Sequence, residues 1–300
     1  MNVIELLPDY IRNDAKRADR QGLEEIRMRL GQPVEYRVGD GTVFWGIEID
    51  RKCLEEVMNF LTDYSWYTIQ EQLKNGFFTV EGGHRVGVAG HCNYQGRGND
   101  SKLCNVTEIN AINIRVAHER IGCAKQIMEY IRCRDSIYNS LIVSEPGVGK
   151  TTYLRDCIRI ISGGVDGRKS MRVGVVDERS EIGASYQGKP QNNLGPRTDV
   201  MDNCPKLIGM KMLLRSMSPQ VIAIDELDGE KECEEVREIV NSGVRLICSV
   251  HSSSFEELQN REFLWNLIAK GIFQRIIFLE RLEDGVRNAY VYNEKRERIC

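Results

Sequence analysis

Nine consecutive residues, Ser144-Glu145-Pro146-Gly147-Val148-Gly149-Lys150-Thr151-Thr152, carry the strongest chemical signal in the 300-residue chain. A short apolar run, Leu141 to Val143, feeds straight into them, and YLRDCIRII follows at helical spacing. Strand, glycine-containing loop, Lys-Thr and helix are the parts of a phosphate-binding loop in their required order. Gly147 and Gly149 let the backbone wrap a triphosphate closely, and the helix N-terminus aims N–H groups at it. Lys150 can reach the β and γ phosphates, and the Thr151 hydroxyl can ligate Mg²⁺. ATP and Mg²⁺ are therefore the expected ligands. Two residues depart from the pattern. Ser144 stands where glycine is usual, and its Cβ costs on the order of 1 kcal/mol if the position needs positive φ. Glu145 puts a carboxylate beside the expected triphosphate, which weakens binding unless it points away or meets a cation. The expected site is functional and loose.

A second segment, VIAIDE, presents four apolar residues and then Asp225-Glu226, the form of the Mg²⁺ strand of a phosphate-loop ATPase. Asp225 would hold the ion's water shell, and Glu226 would orient or deprotonate the attacking water. By itself an acidic pair at a strand end reads as a solvated turn. Downstream of a phosphate loop the ligand-binding reading prevails, because ligands in parallel sheets bind at the carboxyl ends of strands. The run RVGVV ends in Asp177-Glu178-Arg179-Ser180-Glu181, where Glu178 or Glu181 could reach the nucleotide edge; a charged solvated loop is the competing reading. LICSV ends in His251, which could sense the γ phosphate through a hydrogen bond or be an ordinary surface or core histidine. In a ring-forming ATPase a neighbouring subunit can supply an arginine to the transferring phosphate. Arg85, Arg115, Arg197 and Arg215 are candidates, although each alone reads as a surface ion pair. Arg85 and Arg115 are preferred, since an N-terminal domain could lean over a neighbour's nucleotide.

The elements that must position these residues fall into two parts. Residues 1–120 read as a smaller α+β domain. Its opening helix carries Ile4, Leu7, Ile11 and Ala15. Two turn-linked strand pairs lie around Asp40-Gly41 and Gly82-Gly83, and a helix over 53–62 places Leu54, Val57, Met58 and Leu61 on one face. From residue 121 to 300 the rhythm changes. A helix with Ile121, Ala124, Ile127, Met128 and Ile131 precedes five short apolar runs separated by helix-like segments: 141–143, 173–176, 221–224, 246–250 and 276–279. That alternation predicts an α/β domain with a mostly parallel sheet, and the phosphate loop makes it a nucleotide-hydrolysing one. A turn at Asp284-Gly285 predicts an antiparallel hairpin closing one edge.

Composition bounds the function classes. With 41 Lys and Arg against 44 Asp and Glu the net charge is −3, so bulk attraction to nucleic acid is disfavoured, although a local basic patch is compatible with it. The ten cysteines include no Cys-x-x-Cys pair, and the N-terminus carries no basic and apolar export signal, which reads as reduced cytosolic thiols. No uninterrupted apolar run approaches the roughly 18–20 residues needed to cross a bilayer. Any membrane role must act through a partner.

With these segments in hand, the chain resembles the family of stage III sporulation protein AA, ATPases of endospore-forming bacteria related to those of type II and type IV secretion. The likeness runs through LPDYIRNDA, LEEIRMRLGQPV, GFFTVEGGHRVGVAG, INAINIRVA, VVDERSEI, GPRTDVMDNCPK, LLRSMSPQVIAIDE and DGVRNAYVY, nearly the full length. VVDERSEI and SGVRLICSVHS look like the acidic and histidine boxes of the secretion ATPases, which adds weight to Glu178, Glu181 and His251. The family's usual loop is Gly-Pro-Pro-Gly-Val-Gly-Lys-Thr-Thr, so Ser144 and Glu145 depart from it, as do Leu227-Asp228 in place of Ile-Gly and Ser252 after His251. The resemblance implies a cytoplasmic homohexamer at the mother-cell face of the septal membrane. There it would power a secretion-like channel to the forespore with membrane proteins of the stage III sporulation complex. Two alternatives stay open: an ATP-binding assembly scaffold with little turnover, and a RecA-like nucleic-acid-dependent ATPase. Against the second stand the −3 charge and the want of a basic module after residue 292, where only NEKRERIC remains.

Overall fold

The computed structural model describes residues 2–39, 41–74, 76–95, 102–164, 168–281 and 287–300. The chain forms two compact units, one of residues 1–118 with 184–191 and one of residues 119–183 with 192–300.

In the first unit, a 3₁₀ turn over Val3–Leu6 precedes helix α1 (Asp9–Asp19). The sequence predicts one helix through Ile4 and Ile11. Pro8 divides it, because the residue before a proline is pushed out of the helical region, and Leu7 is extended at φ −112° and ψ 149°. The apolar stripe nevertheless holds: Ile4, Leu7, Ile11 and Ala15 are all buried. Strands β1 (Leu23–Arg29), β2 (Pro33–Val38) and β3 (Gly41–Glu48) follow, then α2 (Arg51–Leu61), whose Asp50 side chain caps the N–H of Cys53 at 2.7 Å. A short helix α3 (Gln70–Leu73) leads to β4 (Phe77–Thr79), β5 (Arg85–Gln95) and β6 (Lys102–Arg115). The six strands lie in the order β3-β2-β1-β6-β5-β4, and every pair is antiparallel. The predicted hairpin around Gly82-Gly83 joins β4 to β5, and β2 pairs with β3 across residue 40, where Asp40 itself lies outside the described residues. Two central strands, β1 and β6, have no counterpart in the sequence reading. Register shifts between Leu23 and Glu25, and opposite Ala89–His91, break their two-residue alternation.

The second unit begins with α4 (Lys125–Ile131) and a two-residue ribbon of β7 (Arg132–Cys133) with β8 (Ser136–Ile137). Ile121, expected on that helix, precedes it and is 59% exposed, whereas Ala124, Ile127, Met128 and Ile131 are buried. There follow β9 (Ser140–Ser144), α5 (Lys150–Gly163), β10 (Val173–Asp177), β11 (Thr198–Asp202), α6 (Lys206–Ser216), β12 (Val221–Ile224) and α7 (Glu230–Asn241). The unit closes with β13 (Arg245–His251), α8 (Phe255–Gln259), α9 (Glu262–Ala269), β14 (Arg275–Arg281) and β15 (Arg287–Asn293). The sheet order is β11-β10-β12-β13-β9-β14-β15, and every pair but the last is parallel. The five apolar runs are its five central strands. The antiparallel partner at one edge is β15; the turn at Asp284-Gly285 lies outside the described residues. Strand β11, TDVMD, lies at the opposite edge, is only half-buried and has too few apolar residues to be read from sequence.

Helices cover both faces of this sheet. Leu154, Cys157, Ile158 and Ile161 of α5 and Ile127, Met128 and Ile131 of α4 pack with Val173, Val175, Val221, Ala223 and Ile247. Met210 and Leu213 of α6 and Val236 and Ile239 of α7 pack with Val176, Ile222, Ile224 and Leu246 on the other face. Such two-sided burial is why these strands read as continuous apolar runs. Helix α6 approaches β10 with no spare room: a Cβ on Gly209 would stand 2.5 Å from Val176 Cγ1, and one on Gly174 3.0 Å from Leu213 Cδ1. Val176 is β-branched and cannot swing aside cheaply. Gly209→Ala is therefore expected to lower stability by about 1–3 kcal/mol despite its better helix propensity. Urea unfolding checks this, and adding Val176→Ala should restore part of the loss.

Candidate active site

The carboxyl ends of β9, β10, β12 and β13 bring the four chemical segments of the sequence together within the second unit. Strand β13 stands between β9, which feeds the phosphate loop, and β12, which carries the acidic pair. Ser144 ends β9, is buried and pairs by Cα register with His251 at the end of β13. Its backbone is absent from the positive-φ residues, so the conformational strain considered for a non-glycine there does not arise. Its hydroxyl donates to the carbonyl of Glu145 at 2.9 Å. Positive φ falls instead on Gly147 (81°) and Gly149 (113°), and a Cβ on Gly147 would meet open space. That is the geometry of a loop whose backbone is open to a ligand. Glu145, Pro146 and Gly147 are exposed, Val148 is buried and packs into the core, and Lys150 opens α5, followed by the half-buried Thr151 and Thr152.

Lys150 is 5% exposed, and its side chain is held among polar groups. Nζ lies 2.9 Å from Nδ1 and 2.7 Å from Nε2 of His251, and 3.7 Å from Oε1 of Glu226. Nε2 of His251 also lies 2.7 Å from Glu226 Oε1. The network is consistent when Nε2 carries the proton toward Glu226 and Nδ1 accepts from Lys150, a tautomer assigned from these partners. Burial lowers the pKa of Lys150, and the charges of Asp225, Glu226 and Glu181 oppose that shift.

Asp225 and Thr151 meet directly: the hydroxyl of Thr151 donates to Oδ2 of Asp225 at 2.8 Å, while Ser249 donates to Oδ1. One hydroxyl and one carboxylate side by side, next to an open phosphate loop, fit Mg²⁺, which is held by few protein groups together with phosphates and water. Among the described residues no set of three His, Cys, Asp or Glu side chains could hold a metal unaided. Glu226 adopts a left-handed backbone, φ 54°, and is fixed on all sides. Its N–H donates to Ser249 Oγ at 2.9 Å, its carbonyl accepts from Lys206 Nζ at 2.8 Å, and Oε2 pairs with Arg179 Nη1 at 2.6 Å. Burial would raise its pKa, but the hydrogen bond from His251 and the charges of Arg179 and Lys150 bring it below the ordinary value. A left-handed non-glycine residue costs on the order of 1–3 kcal/mol and is characteristic of functional sites.

The acidic segment after β10 forms the cleft's other wall, so that Asp177, Glu178, Arg179, Glu181, Lys206, Asp225 and Glu226 line one depression. Glu178 lies 3.5 Å from Lys206. Four side chains matter here that sequence reasoning did not single out. Arg179, Ser249 and Lys206 hold the acidic pair. Arg155 lies one turn after Thr151 on α5, with its Nε buried and lacking a hydrogen-bond partner; burial lowers its pKa against the charges of Asp225, Asp177 and Glu181. Its position four residues after Thr151 on a helix opening a phosphate loop is the one signal that could have found it.

The arginine candidates are carried by other elements. Arg85 and Arg115 belong to the first unit, directly opposite each other on β5 and β6, with the Arg85 guanidinium 3.5 Å above the Phe77 ring. Arg197 precedes β11 at its amino end and donates to Ser170 Oγ at 3.0 Å. Arg215 lies in the last turn of α6, the end opposite Lys206, and is exposed.

Asp177 is the anchor of the wall. Buried at the tip of β10, it accepts from the N–H groups of Glu181 at 2.8 Å and Gly183 at 2.7 Å. Burial outweighs these bonds and pushes its pKa up to about 6. A raised carboxyl pKa means the native state keeps a proton that the unfolded chain releases, so this stability is full below about pH 4 and lost as pH rises through 6. The unfolding free energy of the native protein relative to Asp177→Asn is expected to fall by about 2–3 kcal/mol between pH 4 and 7. Urea titrations of both proteins check it.

Residues 2–299 match the family model described as sporulation stage III, protein AA. The chain is 34% identical over 295 residues to stage III sporulation protein AA of Bacillus subtilis (strain 168), covering 97% of this chain and 94% of that protein. Among solved structures it is similar to the pilus retraction motor PilT with bound ADP, with a TM-score of 0.65 at 16% identity over 97% of this chain and 82% of that one. It is also similar to the ATPase DotB of Legionella pneumophila, with a TM-score of 0.62 at 16% identity over 95% of this chain and 80% of that one. At such identities the likeness is one of fold: a RecA-like phosphate-loop ATPase domain that follows a smaller α+β domain in the sequence. The full-length match of model and relative places the chain in the sporulation stage III protein AA family.

Proposed function

We propose that the chain hydrolyses ATP to ADP and phosphate with Mg²⁺, as the cytoplasmic motor of a secretion-like channel between mother cell and forespore. The observation that carries the reading is the convergence of Lys150, Thr151, Asp225, Glu226 and His251 at adjoining strand ends. Open glycines of the loop and the first N–H groups of α5 cradle the phosphates, and Lys150 turns from His251 to their β and γ oxygens. Thr151 and Asp225 would hold Mg²⁺, which would supply positive charge to offset that of the phosphates. Glu226 then faces the attacking water and takes its proton, while His251 donates to the γ phosphate and Glu178 and Glu181 shape the rim. A homohexamer in which Arg85 or Arg115 serves a neighbour's nucleotide fits the family context. So does recruitment by membrane proteins of the stage III complex to the mother-cell septal membrane, since among the described residues no helix is long and apolar enough to cross a bilayer.

A second reading, an ATP-binding scaffold with little turnover, draws support from Glu226, whose carboxylate is faced by Arg179 and Lys150, and from Glu145 beside the loop. Hydrolysis and scaffolding separate on one variant. Glu226→Gln should keep ATP affinity and lose turnover by roughly 100-fold or more; turnover equal to that of the unaltered protein would favour the scaffold. A subunit-shared site further predicts that specific ATPase activity climbs with protein concentration as rings form, whereas a self-sufficient subunit gives a flat line. Glu145→Pro should tighten ATP binding roughly threefold by removing a like charge, measured with a fluorescent nucleotide.

A further inference from the structure

Arg179 is 62% exposed in its side chain, yet its Nη1 lies only 2.6 Å from Oε2 of the Glu226 carboxylate. The other oxygen, Oε1, faces His251 Nε2 at 2.7 Å and Lys150 Nζ at 3.7 Å. The two oxygens are thus divided: Oε1 lies on the side of the phosphate-loop lysine, and Oε2 is taken by an arginine from another strand end. The loop that presents Arg179 is itself held. Asp177 accepts from the N–H groups of Glu181 and Gly183, and Ser180, at φ 52°, donates from its hydroxyl to Asp202 Oδ1 at 2.6 Å. A long exposed side chain on a loosely held loop would have no defined aim. Here the backbone beneath it is tied to β10 and β11, and Glu226 is tied from its own side by Ser249 and Lys206.

From this geometry we infer that Arg179 is a positioning residue for Glu226: it holds Oε2 so that Oε1 points to the attacking water once Lys150 has moved to the phosphates. The inference rests on the hydrolytic reading above. Lys150 and His251 each have a phosphate to turn to when nucleotide is present, but Arg179 approaches from the acidic wall and keeps its grip. A bidentate-capable, permanently charged guanidinium suits a task that must survive this change of partners. The angular aim of a general base matters because small misplacements at a reacting centre are costly in rate and leave ground-state binding intact.

The test is steady-state hydrolysis by the full chain with ATP titrated in excess Mg²⁺, for the unaltered protein, Arg179→Ala, Arg179→Lys and Glu226→Gln. Affinity for a non-hydrolysable ATP analogue is measured on each. Arg179→Ala is expected to lose about 10- to 100-fold in kcat, with KM and analogue affinity within about twofold, and Arg179→Lys to recover part of kcat. An unchanged kcat in Arg179→Ala overturns the inference. A raised kcat does so too, since it would make Arg179 a restraint on Glu226. A loss carried by KM and analogue affinity also overturns it, because it would make Arg179 a phosphate contact. If the unaltered protein binds the analogue and hydrolyses nothing, or Glu226→Gln turns over at the normal rate, the hydrolytic reading itself fails and the inference falls with it.

Discussion

An ammonium group withdrawn from water has to be met by something, and Lys150 at the start of α5 is such a group. Its surroundings are composed around that need. Burial works against its charge, and Asp225, Glu226 and Glu181 work for it. These carboxylates crowd one another and must themselves be met, which explains why cations recur on three neighbouring elements: Arg155 on α5, Arg179 on the wall after β10, and Lys206 at the start of α6. A bound triphosphate would add negative charge to this balance and so redistribute the pairs.

The sheet is what makes such a charge cluster possible. Parallel strands place all their carboxyl ends on one side, and helices on both faces exclude water from the strands beneath. Each end then contributes a different group: a hydroxyl and a lysine after β9, a wall of acids after β10, the Asp-Glu pair after β12, and a histidine after β13. The close seating of α6 on β10, visible at Gly209 and Gly174, sets where Lys206 emerges and so where the carbonyl of Glu226 is caught. Packing several residues away therefore reaches the site through a single helix start.

Legibility in the sequence followed locality. Where one element's burial imposes its own pattern, the reading was sound: five central strands announced themselves as apolar runs, and the strand-loop-helix around Lys150 is a contiguous string. Elements whose burial is partial or interrupted were missed or wrongly joined. Strand β11 is half-buried with a polar sequence, β1 carries a bulge after Leu23, and the opening helix is cut by Pro8, whose effect on Leu7 outweighs the apolar spacing. The strain considered for Ser144 did not arise, because the turn out of β9 places its left-handed residues at Gly147 and Gly149.

By itself the sequence determined the chemistry on offer: a phosphate loop, an acidic pair, an acidic segment and a histidine, each at the end of a recognisable strand. Tertiary structure alone decided their pairing. That β13 lies between β9 and β12 is a matter of strand order, which no window of residues contains, and it brings His251 between Lys150 and Glu226. Arg179 lies far before Glu226 in the chain and Ser249 well after it, yet one carboxylate and one backbone N–H join them. Electrostatic partnership depends on distance in space and on burial, and both are set only when the strands have taken their places.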